Sequence, residues 1–173
     1  HMSARRQRQM CIRDRDNAWT FPDSISTNDK EDRCDDLLID IIPKDRRRPY
    51  SVRKIITSLL DINDDQSTFF EIGKKYGPSL VTGLGRLNGQ SVGVIANDCM
   101  FYAGAMTTSA SKRLERFSDF CNSFHIPIIS LVDEPGFMIG PESEKSGTIR
   151  FGTAAISCLL YTSDAADEHS CVV

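Results

Sequence analysis

An α/β fold is predicted for the middle of this 173-residue chain by three observations. Two β-rich runs, 79–87 and 90–96, flank Asn88-Gly89, the dipeptide that best tolerates the positive φ values of a tight I′ turn. Between 107 and 124, Ala110, Leu114, Phe117, Cys121 and Phe124 recur at spacings of four and three, which is one face of a helix. The apolar run Ile126-Pro127-Ile128-Ile129-Ser130 then leads into the glycine-bearing stretch from Leu131 to Pro141. It reads as a buried strand ending in a loop that opens a helix.

The remaining elements follow in chain order. Residues 51–60 place Val52, Ile55, Ile56, Leu59 and Leu60 on one helical face, and this helix ends before Asp61. Phe69-Phe70-Glu71-Ile72 is a short strand, and Gly73 to Pro78 is a turn region. Gly83, Gly85 and Gly89 do not form a phosphate loop, because such a loop must lead into a helix and this one leads into a second strand. Thr107, Thr108 and Ser109 supply N-caps for the long helix. His125 follows it as a capping or dipole-compensating residue. Pro141, Glu142 and Glu144 suit the first turn of a helix running toward Ile156. Gly147 and Gly152 would each cost that helix about 1 kcal/mol relative to alanine, so they read as points of close packing or ligand approach.

Composition narrows the function classes. A net charge of −3 disfavours nucleic-acid binding as the main role, and no run of eighteen apolar residues exists to cross a membrane. Six cysteines, at 11, 34, 99, 121, 158 and 171, show no CxxC pairing, and no histidine stands at metal-ligand spacing. They read as free thiols of a reduced compartment, with no metal site.

The ends differ from the middle. His1-Met2 looks like a cloning remnant, and the basic run up to Arg15 and the stretch from Cys158 to Glu168 resemble translated sequencing adapter. The expected division is therefore a tag and non-native segment at 1–15, a linker at 16–46, the folded part at 47–157 and a non-native tail at 158–173. The linker is acid-rich, with one short docked apolar run, Leu37 to Ile42. Lys44 to Tyr50 is a charged hinge whose arginine triplet suits a solvated face.

The chemistry is expected at the strand-to-loop junction. Backbone N–H groups pointing into one space there hold a developing negative oxygen without a charged side chain, so the site suits enolate or oxyanion chemistry. Tyr50 to Ile56, Val81 to Gly89, Val92 to Asp98, Phe124 to Pro127, Asp133 to Gly140 and Glu144 to Arg150 together resemble the carboxyltransferase subunit of biotin-dependent acyl-CoA carboxylases. The likeness covers the first half of that subunit's C-terminal domain. It implies a partial crotonase-like fold of ββα units, with carboxybiotin as cofactor on a carrier and acyl-CoA as substrate. It also implies a biotin carboxylase or biotin carrier subunit as partner, a homo-oligomer in the longer protein, and a bacterial cytoplasm or mitochondrial matrix.

By the same resemblance, Pro135, Gly136, Phe137 and Gly140 line the biotin side of the cleft. Gly136, Phe137 and Gly140 are the candidates for its oxyanion loop, and no other catalytic residue is assigned. Cys99 and Phe151 stand where relatives often have Pro and His. The family's later Gly-Gly-Ala-Tyr-like turn and its acyl-CoA domain are not found in the chain, so the chain alone is expected to be inactive. The alternatives are a noncatalytic binding or assembly module of the same fold and a biotin-dependent decarboxylase subunit. A hydratase of the same fold would need a carboxylate pair facing the thioester, whereas Asp133, Glu134, Glu142 and Glu144 suit strand-end and helix-start roles.

Overall fold

A computed structural model describes residues 22–162 apart from 28, 31, 32, 46, 47, 64 and 65. The arginine-rich start, two arginines of the hinge and residues 163–173 of the expected tail lie outside the described residues. In chain order the elements are α1 (Leu37–Asp40), α2 (Val52–Leu59), β1 (Ile62–Asn63), β2 (Gln66–Ser67) and β3 (Phe70–Ile72). There follow β4 (Leu80–Leu87), β5 (Gln90–Asn97), a 3-10 turn at Tyr102–Gly104 and α3 (Thr108–Ser123). The last are β6 (Ile128–Leu131), α4 (Pro141–Ser146) and α5 (Thr148–Thr162). The main sheet runs β3-β4-β5-β6, with antiparallel pairs except for parallel β5 and β6, and β1 with β2 forms a separate minimal ladder.

Alternation along the strands sends side chains to two cores. Leu80 and Ile95 meet Ala110, Leu114, Phe117 and Cys121 of α3 and Ala155 of α5. Val81, Val92, Val94 and Ala96 meet Val52, Ile56 and Leu60 around α2. Helices therefore cover both faces of the sheet. Asn88 and Gly89 both take positive φ, as the Asn-Gly hairpin requires. The Asp61 carboxylate accepts from both of their N–H groups at 2.9 and 2.7 Å, which binds the hairpin tip to the end of α2. The hydroxyl of Thr107 accepts from the Ala110 N–H at 3.2 Å and caps α3, and His125 in left-handed conformation ends it.

Several expectations change. The helix from Pro141 toward Ile156 is two helices, because Gly147 sits at φ 77° as a left-handed C-cap rather than inside one run. Phe124 and Leu59 leave their predicted core faces and are 59% and 40% exposed. The short apolar run in the linker forms α1, but Leu37, Ile39 and Ile42 stay exposed. The linker docks through polar groups instead. Arg33 donates to the carbonyl of Leu60 at 2.9 Å, the Ser58 hydroxyl donates to Asp35 at 2.5 Å, and the Ile25 amide reaches the Gly89 carbonyl at 3.1 Å. The last helix continues through the boundary expected at Ser157, with Leu159 packed against the core. Cys34, Cys99, Cys121 and Cys158 are free thiols, and burial pushes Cys121 up to about 11.

Two arginines tie the layers together. Arg113, on α3 and 5% exposed, donates to the Thr82 hydroxyl at 2.9 Å, to the carbonyls of Tyr76 and Leu80 at 3.0 and 2.6 Å, and to that of Ile72. Arg53, on α2, grips Glu71 of β3 with two 2.8 Å bonds and also pairs with Asp98. The Arg53 grip holds the Glu71 carboxyl below the usual carboxylate range, although burial pushes the other way. A depressed native pKa stabilises the fold above the unfolded value, near 4.3, and that share is lost as pH falls through the lower native value. The urea midpoint is therefore expected to drop on acidification below about pH 4.3, with a shallower drop in Glu71→Gln than in the parent chain. Identical acid slopes in the two chains would show that Glu71 carries none of it.

Candidate functional site

The stretch after β6 leaves the sheet at its carboxyl end and is fastened there by its own backbone. The Met106 amide donates to the Gly136 carbonyl at 3.0 Å and the Met138 amide to the Met106 carbonyl at 2.9 Å, forming a single parallel bridge between Met106 and Phe137. Four further hydrogen bonds hold its base and the turn beside it. Asn97, the last residue of β5, accepts from the Asp133 amide at 3.3 Å and donates to Glu134 at 3.1 Å and to the Gly104 carbonyl at 3.3 Å. The Tyr50 hydroxyl donates to Asp133 at 2.5 Å, and burial together with that bond raises the phenol far above its ordinary value. A β-carbon at Gly104 would come within 2.6 Å of the Asp133 carbonyl, so glycine is required for the 3-10 turn to lie against the loop.

The four expected residues divide by direction. Gly136 and Gly140 adopt φ of 126° and 115°, and a β-carbon at either would meet nothing within 4 Å. Both therefore present bare backbone to open space. Phe137 turns inward to the α3 side of the sheet, against Gly152 of α5, where a β-carbon would overlap its ring. It anchors the loop, and Gly152 is the close-packing point its sequence position implied. Pro135 is exposed at the base.

Among the described hydrogen bonds, the Met138 amide is used by the bridge, while the amides of Gly136, Phe137, Ile139 and Gly140 donate to no protein acceptor. The amides without a described acceptor at this junction therefore lie in the loop itself. The helix that follows adds little, since α4 has six residues, begins with proline and carries Glu142 and Glu144 in its first turn. That corrects the expectation of a long helix opening at this junction.

The nearby carboxylates are engaged separately: Asp133 by Tyr50, Glu134 by Asn97, and Glu142 by Lys145 at 3.6 Å. They do not form the shared pair that a hydratase would need. No group of three or more potential metal ligands occurs among the described residues, and no helix there is long and apolar enough to cross a membrane. Clefts of about 630 and 780 Å³ lie around the β4–β5 hairpin and the linker, and neither includes the loop. The loop stands on an open surface, beside the outer edge of β6, with Val132 and Ile139 73% and 88% exposed.

Sequence reading did not find Asn97, Gly104, Tyr50 or Arg113. The available signal was polar Asn97-Asp98 closing an otherwise apolar strand, where a buried amide needs partners.

A family model described as the carboxyl transferase domain matches residues 9–162. The chain is 38% identical over 140 residues to the propionyl-CoA carboxylase carboxyltransferase subunit of Haloferax mediterranei, covering 81% of this chain and 26% of that protein. It is 40% identical over 128 residues to the biotin-dependent acetyl-/propionyl-coenzyme A carboxylase beta5 subunit of Mycobacterium tuberculosis, covering 73% of this chain and 22% of that one. Among solved structures it resembles the transcarboxylase 12S hexamer core with methylmalonyl-coenzyme A and methylmalonic acid bound. The TM-score is 0.72 and the identity 34%, over 83% of this chain and 26% of the other. These neighbours share the crotonase-like α/β fold, and the chain spans about a quarter of the length of its relatives.

Proposed function

The chain belongs to the carboxyl transferase domain family, and from that premise we propose that it is one part of a biotin-dependent acyl-CoA carboxyltransferase. The observation that carries this reading is the pair Gly136 and Gly140, whose bare backbone faces open space within a loop held by Asn97 and Met106. A planar ureido ring could lie against such backbone, whereas a side chain at either glycine would stand in its way, so the residues present fit the group. Biotin, carried on a partner subunit, would supply the carboxyl group for transfer to the α-carbon of an acyl-CoA.

The contribution of this chain is positional and electrostatic. Gly136 and Gly140 admit the ring, and Phe137 holds the loop against α5. The undonated amides of Gly136, Phe137, Ile139 and Gly140 are available to a developing negative oxygen, a preorganised donor set that needs no reorientation during reaction. The acyl-CoA would be held mainly by a domain outside this chain, in a homo-oligomer, and the bacterial and archaeal relatives favour a cytoplasmic setting. The chain alone is inactive on this reading. Residues 1–15 and 158–173 remain proposed as non-native.

A chimera tests the proposal. Residues 47–157 replace the matching segment of the Haloferax mediterranei subunit, and labelled bicarbonate fixation into propionyl-CoA is measured with that subunit's own partner. Expected is an assembled oligomer with kcat within about tenfold of the parent, a barrier change of about 1.4 kcal/mol. An assembled, folded chimera with no fixation would overturn the catalytic reading and favour the assembly-module alternative.

A further inference from the structure

The cleft of about 630 Å³ lies at the end of the sheet away from the glycine loop, by the β4–β5 hairpin and the carboxyl end of α3. Leu84, Ile126, Phe70 of the edge strand β3, Phe120 of α3 and Phe124 at its carboxyl end line it. Phe70 and Phe124 are 68% and 59% exposed, a large apolar surface for water to cover. The Phe120 and Phe124 rings stand 4.9 Å apart at a 47° tilt, a packed aromatic pair whose outer edge remains exposed at Phe124. The cleft suits an apolar occupant, because Pro22, Phe70, Leu84, Phe120, Phe124 and Ile126 make up most of its lining, and Arg86 in it donates to the Gly89 carbonyl at 2.8 Å.

Pro22 and Asp23 also line this cleft, so the chain runs through it. The residues immediately before Pro22 are Trp19, Thr20 and Phe21, two large aromatics within three positions. Three residues reach about 10 Å, which keeps both rings within range of the cleft and no further. Asp164 to Val173, by contrast, is acidic and without an aromatic residue, so the chain's other end offers no comparable occupant.

We propose that the cleft is a docking groove for the chain's own Trp19–Phe21 segment, which covers Phe70 and Phe124 and fastens the linker to the sheet edge. Burial of two aromatic rings there removes roughly 150–250 Å² per ring from water. The linker would then be clamped at two points. The aromatic pair would hold β3 and α3, and the polar bonds of Ile25, Arg33 and Asp35 already hold the hairpin tip and α2.

Trp19 is the sole tryptophan, so intrinsic fluorescence of the full 173-residue chain reports on it alone. Expected is a blue-shifted emission maximum and several-fold weaker acrylamide quenching than in the urea-unfolded chain, both unchanged on dilution. Phe70→Ser and Phe124→Ser, at exposed positions, should each move emission and quenching toward the unfolded values without loss of far-UV circular dichroism. Phe101→Ser, an exposed phenylalanine at the opposite end of β5, should not. A solvent-exposed tryptophan signal in the folded parent chain would overturn the proposal without any variant. So would a blue shift indifferent to Phe70 and Phe124. A blue shift lost on dilution would give the groove to a second copy and overturn it equally.

Discussion

Arg53→Met is expected to cost the fold about 3–5 kcal/mol, because it removes one partner of a buried ion pair and leaves the other. Among the described residues Arg53 is the one cation paired with Asp98, whose side chain is wholly buried, and it holds Glu71 through both carboxylate oxygens. Without it Asp98 is left buried with no route to water, while Glu71 keeps the more distant Arg113, 3.8 Å away. Domains of this size have about 5–15 kcal/mol in all, so the loss is a large fraction of what is there. With a urea slope of about 1–3 kcal/mol/M, the midpoint should fall by roughly 2 M.

Arg53→Lys keeps the charge and loses the fork, so it should fall between the two. Adding Asp98→Asn to Arg53→Met should recover part of the loss, because it removes the stranded charge rather than restoring the contact. A loss under about 1 kcal/mol would place the network with ordinary exposed ion pairs. The consequence reaches the glycine loop. Asp98 also accepts from the Met100 amide at 3.1 Å, at the start of the segment that leads to Met106, and Met106 carries the bridge to Phe137. Loosening Asp98 should therefore be felt at the loop before the core melts.

The elements legible in the sequence were those whose signal is local. Asn88-Gly89 fixes its own backbone conformation, Thr107 caps the helix that starts beside it, and the alternating apolar runs of β4 and β5 specify two buried faces within eight residues each. What was not legible depends on distant partners. Nothing beside Arg113 in the sequence marks it, because its acceptors, the carbonyls of Ile72, Tyr76 and Leu80, come from the distant β3–β4 connection. Gly147 reads as a helix interior until Thr148 is seen to donate to the Ser143 carbonyl at 2.9 Å, restarting the chain in a new helix.

The same division runs through the site. A glycine-bearing loop before a proline-led helix is visible in the sequence and the family resemblance puts Gly136 and Gly140 in the site, whereas Tyr50 and Asn97 lie 83 and 36 residues from the Asp133 they hold. No spacing rule connects them. The inward turn of Phe137 likewise depends on the gap that Gly152 leaves on another helix.

Gly140→Ala, made in the chimera that carries residues 47–157, is expected to lower carboxyl transfer about a hundredfold while the oligomer stays assembled. Gly140 combines φ 115° with ψ 163°, a region open essentially to glycine, so any side chain there forces the backbone to move. The resulting strain is of order 1–3 kcal/mol, and the adjustment turns the Gly140 amide, which donates to no acceptor among the described residues, away from its present direction. Loss of one aligned donor to a developing oxyanion costs about 10²–10³ in kcat elsewhere, and this position also carries the approach to the open face.

Gly152→Ala separates donor alignment from packing. It leaves the loop backbone unaltered in sequence but pushes on the Phe137 ring, so the overpacking cost of about 1–3 kcal/mol offsets the roughly 1 kcal/mol gained in helix propensity. If Gly140→Ala acts through the donor set, it should lower kcat at saturating acyl-CoA far more than Gly152→Ala does, even where the two variants lower the melting temperature by similar amounts. Equal effects of both on both measurements would mean that the loop contributes only to folding, and its amides would then not be the groups that meet the developing charge.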